Sequence, residues 1–191
     1  MNFDLQNLEL MMLAETAAQS GHEERKGRLS MSWLWMDEQE IIMRIQAGCT
    51  ATQTEKQKLY LGTLCERGIR ERLRALCEHA GWQYREGGLL TAYDGKLTGH
   101  PDCFVNDVLI EIKTLQCVEH LEGLKAKGRV PFKVYAQMNA YMLWGKYERG
   151  ICMYEERATG AQWLVEIYPS RKMQEDLKAK AERILSAIEN K

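Results

Sequence analysis

The stretch Gly99–Lys113, GHPDCFVNDVLIEIK, constrains this chain more than any other. Asn106-Asp107 interrupts an apolar alternation, and both residue types tolerate the positive φ of a two-residue hairpin turn. A turn there predicts that Val105 pairs with Val108 and Phe104 with Leu109, which sets Asp102 opposite Glu111. Period-two alternation puts Cys103, Val105, Val108, Ile110 and Ile112 on one apolar face, expected to meet the core. Asp102, Glu111 and Lys113 share the other face. Like charges so opposed destabilise a sheet, and opposed Cβ atoms lie about 4.5–5.5 Å apart. Two carboxylates at that spacing suit a hard divalent cation such as Mg²⁺, which would cancel the repulsion. Lys113, two residues beyond Glu111, adds an ammonium that can orient a water or stabilise charge on phosphorus. On charge and spacing alone, an exposed Lys113–Glu111 ion pair accounts for these residues equally well.

The remaining pattern predicts a single domain over residues 1–191. Residues 3–18 have helical spacing, and SGHEERKGRLS reads as a polar connection. Ser32 to Gln46 predicts one helix or two short ones, and GCTATQTEKQ a loop. A longer helix follows from Leu59 and ends at Gly81, with Leu64, Leu73, Leu76 and Cys77 as core contacts. LLTAY, LTGHPDCFV and VLIEIKTL predict a three-strand antiparallel meander. CVEHLEGLKAKGRVPFK reads as a polar, partly basic connection containing a mobile loop. Pro131 suits the first turn of the next helix. ICMYEER and QWLVEIY form a hairpin around Ala158-Thr159-Gly160, and a last helix carries Met173, Leu177, Ile184 and Ile188 on one stripe. The class is α/β (α+β), with a small, largely antiparallel sheet flanked by helices.

Pro101-Asp102 followed by Glu111-Ile112-Lys113 resembles the PD-(D/E)XK nuclease signature, most closely its RecB-like and lambda-exonuclease-like branch. Upstream, Gly62-Thr63-Leu64-Cys65-Glu66 is similar to the GxxxE of that branch. Downstream, Gln137-Met138-Asn139-Ala140-Tyr141 resembles its QxxxY motif. The resemblance spans roughly residues 60–168, leaving a helical extension over 1–50 and a final helix over 170–190. It implies a restriction-endonuclease-like core with a small central mixed sheet. It also implies one or two Mg²⁺ or Mn²⁺ ions held by Glu66, Asp102, Glu111 and the Ile112 carbonyl, with Lys113 positioning water. Gln137 and Tyr141, four apart on one helical face, would turn an amide and a phenol toward DNA or the catalytic groups. His100 lies beside Asp102, opposite Lys113 by cross-strand counting, and would act at one remove from the metal. The implied activity is DNA hydrolysis, chiefly an exonuclease in phage-type recombination, repair or DNA processing, in the cytoplasm of a bacterium or phage-infected cell. The resemblance leaves room for a ring-shaped oligomer and a single-strand annealing or binding partner.

A net charge of −1 means that any DNA-binding surface is local. Lys125, Lys127, Arg129 and Lys133 before the Gln137 helix are candidates, as are Arg67, Arg70 and Arg74 beside Glu66. Glu66, Glu71 and Glu78 offer those arginines ion-pair partners instead. Trp33, Trp35 and Trp144 are expected to pack rather than stack on bases. The six cysteines (Cys49, Cys65, Cys77, Cys103, Cys117 and Cys152) have no CxxC spacing, which favours reduced packing thiols over a zinc or iron–sulfur site. No GxxxxGK loop points to nucleotide binding. No apolar run reaches the roughly 18 residues of a membrane helix. The segment MNFDLQNLELMMLAETAAQ, with Asp4 and Glu9, lacks the basic start of a secretory signal, so an intracellular protein is expected. Other readings compatible with the residues are a structure-selective or restriction-type endonuclease, a non-catalytic DNA-binding or adaptor module, and an α+β interaction protein.

Overall fold

A computed structural model describes residues 28–47 and 52–189. In chain order these form β1 (Leu29–Ser30), a single 3-10 turn (Met31–Trp33), α1 (Glu38–Ala47), α2 (Gln53–Ala80), β2 (Tyr84–Glu86), β3 (Leu90–Ala92), β4 (Leu97–Gly99), β5 (Cys103–Val105), β6 (Val108–Leu115), α3 (Val118–Lys127), α4 (Phe132–Gly145), β7 (Gly150–Glu156), β8 (Gln162–Ile167) and α5 (Arg171–Glu189). The mixed α/β class is as expected. The helix expected over residues 3–18 and Cys49 lie outside the described residues. No described helix is long and apolar enough to cross a membrane.

The hairpin has the expected register: Cys103 faces Ile110, Phe104 faces Leu109 and Val105 faces Val108. Its turn is closed by Asn106 at φ 47° and Asp107 at φ 64°, the conformation that suits the right-handed twist of the strands. The expected meander, by contrast, is split between two sheets. β4 lies between β1 and β3 in a three-stranded sheet, whereas β5 enters a five-stranded sheet of order β2-β5-β6-β7-β8. The chain crosses between them at His100-Pro101-Asp102. Pro101 has no N–H for a ladder. Gly87, just after the unexpected edge strand β2, donates its N–H to the Asp102 carbonyl at 3.0 Å. A Cβ on Gly87 would stand 1.7 Å from the Pro101 carbonyl oxygen, so the approach requires glycine.

Alternation along β5, β6 and β7 sorts the interior into two clusters. Cys103, Ile110, Ile112 and Met153 pack with Ile69 of α2. Phe104, Leu109, Cys152 and Tyr154 belong to the larger core with Leu121 of α3 and Met138 of α4. The face holding Cys103 and Ile110 therefore meets the smaller core. The larger core lies on the face that carries Glu111, because β6 is central and covered on both sides.

Several helix expectations change for packing reasons. The segment after Ser30 resolves into the 3-10 turn and α1, and α2 begins at Gln53, inside the expected loop. α2 ends as expected, at Gly81 with φ 69°. Its 28 residues extend about 42 Å, beyond the reach of β2 and β6, against which it packs. Ile69 and Cys77 are buried, but Leu64 and Leu76 remain 40% and 62% exposed. The basic connection after β6 contains α3, which buries Leu121 and ends at Gly128 in the left-handed region, φ 61°. Of the tryptophans, Trp33 and Trp144 pack on the main core while Trp35 is exposed. On α5, Leu177 and Ile184 are buried as expected, joined by Ala181 and Leu185.

Candidate active site

The break between the sheets places Asp102 where the β5–β6 ladder ends. Its Oδ2 accepts the Ile112 N–H at 2.6 Å, so the side chain supplies the bond that a continuing strand would have made. The expected cross-strand position of His100 against Lys113 is not part of the ladder, whose last pair is Cys103–Ile110. His100 is exposed, and its carbonyl accepts from the Tyr141 hydroxyl at 3.3 Å. Glu111 is 2% exposed. Its Oε1 accepts from Lys113 Nζ at 2.5 Å and from Gln137 Nε2 at 2.8 Å. Gln137 Nε2 also lies 2.9 Å from the Tyr141 hydroxyl. The Glu111–Lys113 pair is thus buried at its acidic end rather than an exposed strand pair, and α4 holds it. Glu111 Oε2 is buried without a hydrogen-bond partner.

An unpartnered buried carboxylate oxygen is costly. The electrostatics express the same strain. Burial, then the charge of Asp102, push the Glu111 carboxyl up to about 8. The same two causes push Glu66, on α2, up to about 7. Burial raises Asp102 as well, against the pull of Lys113 and the Ile112 N–H. Burial opposes the charge on Lys113, yet Glu111 and Asp102 hold its ammonium above the ordinary lysine range. Burial and Glu111 likewise raise Tyr141, which stays a neutral phenol.

Among the described residues, no three His, Cys, Asp or Glu side chains stand close enough to cage a metal ion. In this arrangement Lys113 holds Glu111 Oε1 and the Ile112 amide holds Asp102 Oδ2. The donor chemistry still fits a hard divalent cation: carboxylates that raise one another's pKa, one with a buried oxygen lacking a partner. A measurable consequence follows. Glu66 and Glu111 have folded-state values above their ordinary 4.5, so the native state binds protons more tightly than the unfolded state. Their contribution to stability is complete below about 4.5 and is lost as pH rises through about 7 and 8. The melting temperature in EDTA should therefore fall between about pH 5 and 8.5, and Mg²⁺ should remove the fall by replacing the protons. Glu111→Gln should flatten the EDTA curve. A melting temperature that climbs across this range would count against the carboxylate cluster.

Other sequence-derived positions divide between the site and ordinary surface pairing. Arg67 pairs with Glu71 at 3.6 Å, Arg70 with Glu86 at 3.3 Å, and Arg74 also with Glu86. These arginines are therefore engaged within the protein. Lys125 is bonded to Glu122 at 2.8 Å, whereas Lys127, Arg129 and Lys133 make no ion pair among the described residues. Arg157 has no counterpart in the motifs. Its Nε and Nη2 donate to Thr114 Oγ1 at 3.1 and 2.8 Å, and its charge bears on Glu66. The parallel pairing of Leu115 with Glu156 brings it there, and no local sequence signal announces it. Cys77, Cys103 and Cys152 are buried free thiols, and burial pushes Cys103 and Cys152 up to about 12.

No family model and no curated protein matches the sequence. Solved structures do match the fold. An alkaline exonuclease from Laribacter hongkongensis, LHK-Exo, is 19% identical with a TM-score of 0.63, covering 93% of this chain and 95% of its own. The same protein in complex with dAMP gives a TM-score of 0.67 at 19% identity, covering 92% of this chain and 91% of the other. A phage-related exonuclease from Haemophilus somnus 129PT is 12% identical with a TM-score of 0.56, covering 85% and 94% respectively. The chain shares their fold, in keeping with the PD-(D/E)XK resemblance of its motifs.

Proposed function

We propose, from the shared exonuclease fold and the carboxylate–lysine cluster within it, that this protein is a metal-dependent DNA nuclease acting at DNA ends. The observation that carries the reading is Glu111: buried, bonded to Lys113 and Gln137, and left with one oxygen unpartnered. Glu66, Asp102, Glu111 and the Ile112 carbonyl would hold one or two Mg²⁺ or Mn²⁺ ions. Bound there, the ions would lower the pKa of water and neutralise charge on the phosphoryl oxygens. Lys113, released from Glu111 Oε1, orients the attacking water and offsets charge developing on phosphorus. Gln137 holds the Glu111 carboxylate, and Tyr141, anchored on the His100 carbonyl, holds Gln137. These two are positioning residues. Recombination, repair and DNA processing are the settings in which an end-directed nuclease would serve.

The test uses one plasmid in closed circular and linear forms, with Mg²⁺ or Mn²⁺, an EDTA control and Glu111→Ala. The expected result is loss of the linear form alone, dependent on the metal and on Glu111. Cutting of the circle moves the assignment to an endonuclease. A folded protein that cuts neither form overturns catalysis and leaves a DNA-binding module.

A further inference from the structure

We propose that the groove between α3 and α4 binds an unpaired DNA strand, with a base stacked on Phe132 and the adjoining phosphates held by Lys127 and Arg129. The proposal rests on the nuclease reading and extends it to a site outside the carboxylate cluster. The groove encloses about 530 Å³, within the range of ligand-binding clefts. Leu124, Val130 and Tyr135 line it and pack on the main core. Lys127, Arg129 and Phe132 line it from exposed positions.

Two observations identify the occupant. The ring of Phe132 is 61% exposed at the first position of α4, a flat apolar surface beside the two cations. No carboxylate lines the groove, and Lys127, Arg129 and the neighbouring Lys133 make no ion pair among the described residues. Cations with no ion-pair partner among the described residues, set around an exposed aromatic ring, match a nucleic-acid strand, which offers phosphate and a π face at each nucleotide. Inside a duplex both faces of every base are covered by its neighbours, so only the terminal pair of an open end could meet the ring.

Helix geometry relates the groove to the cluster. Phe132 precedes Gln137 by five residues, which is about 7.5 Å along α4 and about 140° around it. Gln137 faces β6, so the groove lies on another flank of the same helix. A strand engaged at both places passes the amino-terminal end of α4, where the first amide groups point outward. Given a helix diameter of about 10 Å and at least about 3.4 Å per nucleotide, the contacted base lies about two to four nucleotides from the cut.

The experiment measures fluorescence anisotropy in the Glu111→Gln protein, in which cutting should be lost. The probes are a labelled single strand and a closed circular duplex, compared at equal phosphate concentration. Phe132→Ala should weaken the single strand about 5- to 100-fold and the duplex by less than about two-fold. Phe132→Tyr, which keeps a ring, should restore single-strand binding, and Phe132→Leu, which keeps apolar volume, should not. Lys127→Ala combined with Arg129→Ala should reduce the salt slope for the single strand by about 1.4. Equal weakening on both probes, no weakening on either, or rescue by Phe132→Leu overturns the proposal. If the wild-type protein cuts linear DNA while Phe132→Ala binds like its parent, the groove fails and the nuclease stands. If the wild type neither binds nor cuts DNA, the nuclease reading itself fails.

Discussion

Lys113→Ala should slow DNA hydrolysis by about 10²–10⁴-fold and still yield a folded protein. The ammonium lies 2.5 Å from Glu111 Oε1 with its side chain 30% exposed, so it can reach both the carboxylate and an incoming phosphate. Removing a partner from a buried pair is ordinarily destabilising, because a charge is left behind. Here Glu111 has an alternative, since its carboxyl already stands near 8 and can take up a proton when the ammonium is lost. The fold is thereby spared and the chemistry is not. Lys113→Arg is not a rescue, because a planar guanidinium cannot replace a compact point charge in a site shaped around Glu111 and Gln137. Single-turnover cleavage of linear DNA at saturating Mg²⁺ or Mn²⁺ measures the effect on the chemical step. A rate within about three-fold of wild type would remove Lys113 from the mechanism, against the loss expected for such a group.

Gly87→Ala should cost roughly 2–4 kcal/mol and impair cleavage even in the fraction that folds. The added Cβ would stand 1.7 Å from the Pro101 carbonyl oxygen and 2.8 Å from that of Asp102, both main-chain atoms without a flexible end to swing aside. Relief requires β2 to move away from the crossing, which breaks the Gly87 N–H bond to Asp102 and frees the residue whose carboxylate caps the Ile112 amide. For a domain of this size the melting temperature should drop by roughly 5–15 °C. Gly88→Ala is the control, since nothing lies within 4 Å of its would-be Cβ. Equal melting temperatures for the two variants would count against the close approach of β2 to Pro101.

The β5–β6 hairpin was readable because its determinants are local. Asn106 and Asp107 identify the turn, the turn sets the register, and the register brings Asp102 to Glu111. The Gln137–Tyr141 pair was readable for the same reason, since helical periodicity alone puts residues four apart on one face. What escaped depends on distant contacts. LTGHPDCFV has strand character on both sides of Pro101, and only the approach of Gly87 reveals that its halves belong to different sheets. α3 is hidden by Gly123 and its charged residues, and burial of Leu121 makes it a helix. Leu64 and Leu76 have core chemistry but remain exposed on α2, whereas Ile69 and Cys77 take the buried positions. Arg157 arrives beside Glu66 through a parallel pairing with no local sequence signature.

That parallel pairing also bears on how the chain reaches its native state. β6 and β7 run side by side in the same direction, so the segment between them, containing α3 and α4, must be folded back before the centre of the sheet can close. Hairpins form by closing short loops, but a crossover of this length makes the central contact non-local, which slows folding. The connection whose ordering is rate-determining by this reasoning is the one that delivers Gln137 to Glu111. Substitutions in the buried face of α4, at Val134, Met138 or Tyr141, are thus placed to act twice. They affect the kinetics of sheet closure, and they affect the positioning of the Glu111 carboxylate on which the proposed chemistry depends.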